Sequence, residues 1–359
     1  MKMVPLGDLM VARTQTLNPS KYADEEFELH SIPSFDRGTP EIAQGRVIGS
    51  TKQTVEPRDV LVSKIVPHIR RATVIPPASG RKQLASNEWI VFRHDSFDPR
   101  YLVHFLTSDL FHRQFLNTVA GVGGSLLRAR PQYVRSILAP IPPLDEQRRI
   151  AAILDKADAI RQKRRQAIAH LDTLTQSIFR KMTRADKFDQ SETGRFGELF
   201  KLKSGSFLPK SEQEPGEFPV YGGNGITGMH IKYLFSEPKI AIGRVGANCG
   251  AVHLTRPQSW ITDNALYVDS TYRHFADEYL VFLLRSLDLN QYANRSGQPS
   301  ISANRLNDIE IKIPELKVQT EFAHLANFIE AQSESHKVSL EYFESLFESL
   351  QSRAFRGEL

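Results

Sequence analysis

Ile141-Pro142-Pro143-Leu144-Asp145-Glu146-Gln147 returns later in the same chain as Ile313-Pro314-Glu315-Leu316-Lys317-Val318-Gln319. A second pair keeps step: Leu171-Asp172-Thr173-Leu174 with Ser177-Ile178 becomes Phe343-Glu344-Ser345-Leu346 with Ser349-Leu350. Both matches are spaced by 172 positions, 313 against 141 and 343 against 171, with no gap between them. The repeat reaches upstream with small offset changes that loops would absorb. Tyr101-Leu102-Val103 matches Tyr279-Leu280-Val281, Val60-Leu61-Val62 matches Ile240-Ala241-Ile242, and Leu6-Gly7-Asp8-Leu9 matches Phe196-Gly197-Glu198-Leu199. Such self-similarity implies a tandem duplication. The length of 359 residues also exceeds what one core usually organises, so two domains are expected.

The segment after each junction has helical spacing. Ile150, Ile153, Ala157, Ile160, Ile168, Leu171, Leu174, Ile178 and Met182 recur every three or four residues after a Pro-Pro stop. This predicts a helix of about 37 residues over 145–182, roughly 55 Å long, too long for the interior of one compact domain. Phe322, Leu325, Ile329, Leu340, Phe343, Leu346 and Leu350 repeat the pattern in phase. Helix one is rich in Arg148, Arg149, Arg161, Lys163, Arg164 and Arg165, whereas helix two carries Glu321, Glu330, Glu334, Glu341, Glu344 and Glu348. Opposite charge and two apolar seams favour pairing as a coiled coil.

Upstream of each helix the pattern changes. Short β-rich runs such as Asp59-Val60-Leu61-Val62 and Lys239-Ile240-Ala241-Ile242 lie between Gly and Pro punctuation, and helical pieces fall near 98–118 and 276–292. The fold class is α+β. The expected divisions are a first domain over 1–141, a spacer helix over 142–187, a second domain over 188–313 and a C-terminal helix over 314–359.

Bulk properties exclude several classes. Hydrophobic content of 40% and charged content of 24% suit a soluble globular chain. No apolar run reaches spanning length, and Met1-Lys2-Met3-Val4-Pro5 lacks the apolar stretch of a signal peptide, so the cytoplasm is the expected location. A single cysteine, Cys249, rules out an internal disulfide and a Cys-cluster metal site. A net charge of +5 permits a polyanionic partner without demanding one. Gly223-Asn224-Gly225-Ile226-Thr227-Gly228 fits the dinucleotide fingerprint by spelling alone. That motif requires a following helix, yet Met229-His230-Ile231-Lys232-Tyr233-Leu234 alternates like a strand, so the glycines read as a turn. Glu237-Pro238-Lys239 matches only the tail of a nuclease motif and lacks an acidic partner. Among the 11 histidines, His104 and His112 read as members of a mixed helix surface rather than metal ligands. Neither an acid-base pair, an amino-methyltransferase tetrapeptide nor a P-loop stands out. No catalytic residue, metal or cofactor is expected.

The layout resembles the specificity subunits of type I restriction-modification systems over nearly the whole chain. The resemblance is carried by three segments in order. The first is Ile141-Pro142-Pro143-Leu144-Asp145-Glu146-Gln147-Arg148-Arg149-Ile150. The second is Phe218-Pro219-Val220-Tyr221-Gly222-Gly223-Asn224-Gly225-Ile226-Thr227-Gly228, and the third is Ser349-Leu350-Gln351-Ser352-Arg353-Ala354-Phe355-Arg356-Gly357-Glu358-Leu359. The second junction departs from the family wording, since Glu315-Leu316-Lys317-Val318 stands where the first has Pro143-Leu144-Asp145-Glu146, making its cap less secure. The resemblance implies two target-recognition domains, each reading half of a split, asymmetric site on double-stranded DNA. The paired helices would act as a ruler and as the dock for methyltransferase subunits, two by symmetry, with restriction subunits joining through the complex. Methyl transfer and cleavage would belong to those partners. Two other classes stay open: a stand-alone DNA-modifying enzyme, which would bind S-adenosylmethionine alone, and a coiled-coil adaptor, which would show no preference among duplexes.

Phosphate contacts need Lys and Arg, whereas base reading needs side chains projected from loops. In the first domain the candidates are Lys64, His68, Arg70 and Arg71 after a strand. Arg128, Arg130 and Gln132 come after the glycine-rich Gly121-Val122-Gly123-Gly124. The second copy supplies Arg244 and Asn248 after the matching strand, and Gln298, Ser300, Asn304 and Arg305 after Gly297, with Tyr221 and Asn224 flanking the glycine turn. Surplus apolar residues on the helices, Ile153, Leu154, Leu346, Phe347 and Phe355, are expected to meet a partner protein. A pseudo-twofold axis would make the helices antiparallel, with paired numbers summing to about 500. Ile178 would then face Phe322, and Arg164 would face His336 near the axis.

Overall fold

A computed structural model of the chain describes residues 1–120, 127–183 and 192–359. Gly121-Val122-Gly123-Gly124 and the expected boundary at 187/188 lie outside the described residues. The chain forms two compact units, one made of Met1–Arg165 with Val338–Leu359 and the other of Gln166–Lys337. Each unit therefore holds one β-rich domain and a piece of both long helices.

In the first unit, Val60–Ser63 is the central strand of a three-stranded antiparallel sheet, flanked by Ala72–Val74 and Trp89–Phe92. Its apolar run is continuous because both faces are covered. Val60 and Val62 point with Ile90 and Phe92 into a core shared with Tyr101, Leu102, Phe105 and Ile150. Leu61 alternates to the other side, with Trp89, Val91, Ile75 and Ala85. Beyond that layer lies a five-stranded mixed sheet, Thr16–Leu17, Lys52–Thr54, Lys82–Ala85, Glu26–His30 and Glu41–Gln44 in spatial order. Helix Pro99–Leu106 begins on Asp98, whose carboxylate accepts from Arg100 N (3.0 Å) and Tyr101 N (3.3 Å). Helix Asp109–Leu116 comes directly after it.

The second unit repeats the scheme. Ile240–Gly243 is a central strand between Ala265–Thr271 and Val252–Leu254, with Phe200–Ser204 at the far edge. Ile240 and Ile242 enter a core with Tyr279, Leu280, Leu284 and Phe322, while Ala241 faces Tyr221 and Ile261. The mixed five-stranded sheet is replaced by a smaller one, Gly225–His230, Phe218–Gly222 and Trp260–Ile261. The expected strand over Met229–Leu234 is displaced. The strand runs Gly225–His230, antiparallel to Phe218–Gly222, with Gly222 opposite Gly225. The glycine segment is thus a two-residue hairpin, with Gly225 at φ 87°, and strand rather than helix comes after it.

The duplication is legible in single hydrogen bonds. Leu6 N donates to Ile137 O at 2.8 Å and Phe196 N to Ile309 O at 2.9 Å; Gly7 N donates to Arg135 O at 2.9 Å and Gly197 N to Asn307 O at 3.0 Å.

The long helices are Leu144–Met182, 39 residues, and Leu316–Arg356, 41 residues. Neither contains Pro or Gly, and the second stops at Gly357, φ 82°, whose following N–H, from Glu358, closes on Arg353 O at 2.9 Å. Within each unit they run antiparallel. In the first, Arg161 stacks on Phe347 at 3.7 Å and Arg165 donates to Glu344 at 2.6 Å. In the second, Phe179 meets Phe322 edge-on at 5.2 Å. The expected sum holds for that ring pair, and within the first unit the Arg164 guanidinium lies 6.0 Å from the Phe343 ring, at a higher sum. Side chains lean toward the N-terminus of their own helix, so in an antiparallel pair long side chains meet at higher sums than short ones.

Candidate nucleic-acid interface

The central strand of each unit runs into a loop of the same construction. Lys64 N donates to Glu88 O (2.9 Å), Ala129 N to Lys64 O (2.8 Å), Val66 N to Leu127 O (3.0 Å) and Ile69 N to Val66 O (3.0 Å). In the second unit Arg244 N donates to Asn264 O (2.9 Å), Ile301 N to Arg244 O (2.8 Å), Gly246 N to Pro299 O (2.9 Å) and Cys249 N to Gly246 O (3.0 Å). Bridges Ile65–Arg128 and Val245–Ser300 complete the match. The two segments picked out in each repeat are therefore brought together, 64–71 with 128–132 and 244–248 with 298–300.

The glycine hairpin joins the second loop. A Cβ on Gly243 would lie 2.2 Å from Gly223 O and 2.8 Å from Asn248 O, and one on Gly223 would lie 3.2 Å from Val245 O. This close approach places Asn224, exposed at the turn, beside the loop that carries Arg244 and Asn248. Asn248, Gln298, Asn304 and Arg305 are exposed, Ser300 and Arg244 are half-buried, and Arg244 Nη1 donates to Ser204 Oγ at 3.2 Å. Tyr221 must be corrected: it is 5% exposed within the sheet interface, and its hydroxyl accepts from Arg256 N at 3.0 Å. A residue on the buried face of a hairpin strand has no access to a groove.

In the first unit His68, Arg70, Arg130 and Gln132 are exposed and Lys64 is half-buried. Three of the arginines already hold carboxylates. Arg70 pairs with Asp109 and donates to Thr107 O, with its side chain open to solvent, so phosphate can compete for it. Arg128 forks onto Glu88 at 3.1 and 3.2 Å, which raises its own pKa, and stays partly open. Arg71 must be corrected. Its guanidinium forks onto Asp36 at 2.7 and 2.8 Å, its side chain is only 10% exposed although the carboxylate stays open to solvent, and its hydrogen bonds hold that carboxyl below the usual range. It pins helix Ile32–Asp36 to the sheet rather than presenting a charge. His112 sits behind the loop, its pKa lowered by burial and by the neighbouring Arg70 and His68.

The expected partner-binding set divides. Leu154, Phe347 and Phe355 are buried in the first unit's own core, with Phe355 edge-on to Tyr101 at 5.5 Å and Phe105 at 5.3 Å. They cannot also serve a partner, because the end of the second helix docks on the first domain. Ile153 is half-buried and Leu346 exposed. Exposed apolar positions on the helices outside that set include Leu144, Ile160, Leu174, Leu316, Leu325, Phe328, Val338 and Tyr342, of which Ile160, Leu174 and Leu325 already belonged to the apolar spacing.

Two buried glutamines also escaped notice. Gln147 donates to Ser96 O and Pro142 O, both at 2.8 Å, and accepts from Asp98 N at 2.8 Å. Gln319, 172 positions on, donates to Pro314 O at 2.9 Å and accepts from Ala276 N at 3.3 Å. Each ties a junction proline to the start of a domain helix, and the second clamp survives the altered wording around it. The repeat offset itself marked both.

Residues 189–341 match a family profile described as the type I restriction modification DNA specificity domain. The match lies on the second repeat. The EcoprrI type I restriction enzyme specificity subunit of Escherichia coli is 24% identical over 327 residues, covering 84% of this chain and 80% of that protein. Two solved structures share the fold. The type I restriction-modification S subunit of M. genitalium has a TM-score of 0.63 at 13% identity, over 99% of this chain and 96% of that one. A chain from work described as the structural basis underlying complex assembly and conformational transition of the type I R-M system has a TM-score of 0.61 at 19% identity. It covers 100% of this chain and 98% of that one. Both likenesses span both repeats, so the shared fold extends over the whole chain. Among the described residues, no helix is long and apolar enough to cross a membrane.

Proposed function

We propose that the chain is the non-catalytic DNA-reading subunit of a type I restriction-modification complex, acting in the cytoplasm, with each repeat reading half of an asymmetric duplex site. The observation that carries this reading is the loop built twice from the same hydrogen bonds but lined differently. The first copy presents Lys64, His68, Arg70, Arg128, Arg130 and Gln132, rich in cations; the second presents Asn224, Arg244, Asn248, Gln298, Asn304 and Arg305, rich in amides. One scaffold with two linings reads two different half-sites, with cations positioning the duplex and amides suited to base edges.

Methyl transfer belongs to partner methyltransferase subunits, and cleavage to restriction subunits joined through them. A partner present twice uses positions present twice. Leu144 with Leu316, Ile153 with Leu325, and Leu174 with Leu346 are repeated at the 172 offset, and all but Ile153 are exposed. These pairs are the docking positions for two methyltransferase copies.

The test is reconstitution of the full chain with methyltransferase subunits and selection from a random duplex pool. The expected result is one enriched sequence with two fixed blocks separated by a spacer. No enrichment over competitor DNA overturns the reading in favour of an adaptor, and S-adenosylmethionine bound by the chain alone overturns it in favour of an enzyme.

A further inference from the structure

The two repeats differ where the domain helix meets the helix pair. In the first unit this space is narrowed to a cleft of about 150 Å³ lined by Ser108, Glu348, Gln351 and Ser352, the equivalents of Ser286, Gln176, Phe179 and Arg180. Phe347 is buried there, with the Arg161 guanidinium 3.7 Å from its ring centre and the His104 ring at 6.1 Å, and Arg161 is held by Asp158 at 2.5 Å.

At the 172 offset Phe347 corresponds to Thr175 and Arg161 to Ser333, while Asp158 corresponds to Glu330. On the domain helix, Tyr101 and Tyr279 set an offset of 178, so His104 corresponds to Phe282 and Thr107 to Arg285. The ring is gone, an aromatic wall has been added, and a cation now comes from the domain side. The result is a cleft of about 580 Å³ bounded by Asp172, Thr175, Phe179, Phe282, Arg285 and Glu330. Arg285 is fixed over it, with Nε donating to Val252 O at 3.1 Å and its guanidinium 5.7 Å from the Phe282 ring centre.

Resting on the DNA-reading function, we propose that this cleft receives an aromatic side chain with a polar tip, tyrosine foremost, from one methyltransferase subunit. The first unit shows what fits: its own phenylalanine, seated against a guanidinium and a second ring. Phe282 and Arg285 supply those two surfaces in the second unit, where cation and ring faces attract. Asp172 and Glu330, which also line the cleft, accept the hydroxyl. In the first unit Phe347 occupies the equivalent of the Thr175 position and leaves only about 150 Å³, too little for the same side chain, so the two methyltransferase copies dock unequally.

The experiment uses the full chain, p-cresol as a tyrosine side-chain probe, and Thr175→Phe, which narrows the cleft as Phe347 does in the first unit. Wild type is expected to bind p-cresol weakly by ligand-observed NMR and Thr175→Phe not at all. The same substitution should weaken uptake of one methyltransferase copy by about tenfold, leaving the other unchanged. Arg285→Ala, which removes the cation without filling the space, is expected to lower both affinities, so the proposal stays testable where Thr175→Phe folds poorly. Undiminished p-cresol binding in both variants overturns the cleft. p-Cresol binding with unaltered methyltransferase uptake in both variants overturns the occupant alone. A wild-type chain that takes up no methyltransferase overturns the functional reading and the occupant together, and p-cresol still decides the cleft.

Discussion

Val66 and Gly246 occupy the same bend of the duplicated loop, at φ 49° and 88°. For a β-branched residue this region is strained by roughly 1–3 kcal/mol, and such strain persists where surroundings impose it. The second copy avoids that cost with glycine, so Gly246→Ala should destabilise by about 1–2 kcal/mol in urea unfolding, from φ alone, since no atom lies within 3.9 Å of the added carbon. Gly243→Ala acts differently. Its methyl would collide with Gly223 O, parting hairpin from loop, so reading of the second half-site should be lost while the first stays intact. Equal loss at both half-sites would sink that assignment. Arg70→Ala should lower the salt slope of DNA binding by about one unit, as one phosphate contact. Arg71→Ala should instead lower stability. Adjacent arginines look alike in sequence because the carboxylate that claims Arg71 lies on Asp36, and only tertiary structure reveals that pairing. Tyr221 illustrates the same limit: Val220 and Gly222 on either side of it are buried too, and only tertiary structure reveals that both faces of the strand are covered.

At the scale of elements, the long helices were the most legible part. Apolar spacing over ten turns leaves little ambiguity, and the structure differs from the expected span only at its ends. Short strands were less so. The strand expected at Met229–Leu234 begins at Gly225, because two glycines that read as loop are paired in a hairpin. The five-stranded sheet of the first unit has no counterpart in the repeat, so comparing the chain with itself could not reveal it. The glutamine clamps lie between these cases, spelled out in the repeated motif yet silent about purpose. Gln147→Ala leaves Ser96 O, Pro142 O and Asp98 N without their partner, costing about 2–4 kcal/mol if they stay dry. Gln319→Ala removes one donor contact fewer and a longer acceptor contact, so its cost should be smaller. Equal midpoints for the two variants in denaturant titration would contradict this ranking.

At the scale of the molecule, the units divide at Arg165/Gln166 in one helix and at Lys337/Val338 in the other. Each unit keeps its own segment of helix pair, including Arg161 on Phe347 in one and Phe179 on Phe322 in the other. Seven residues inserted at both division points therefore leave every contact within a unit in place and preserve the apolar phase. Seven residues inserted into one helix alone would push the second strand of the pair out of register. If the pair sets the distance between half-sites, the double insertion adds roughly 10 Å. At about 3.4 Å per base pair that lengthens the preferred spacer by about three. The bases read in each half-site should not change, since both loops are untouched. Selection from a duplex pool with randomised spacer checks this, with the single insertion as a control expected to lose stability. An unchanged spacer in a folded double-insertion variant would mean that something other than the helices fixes the distance. Altered bases at either end would mean that reading and spacing are not carried by separate parts of the chain.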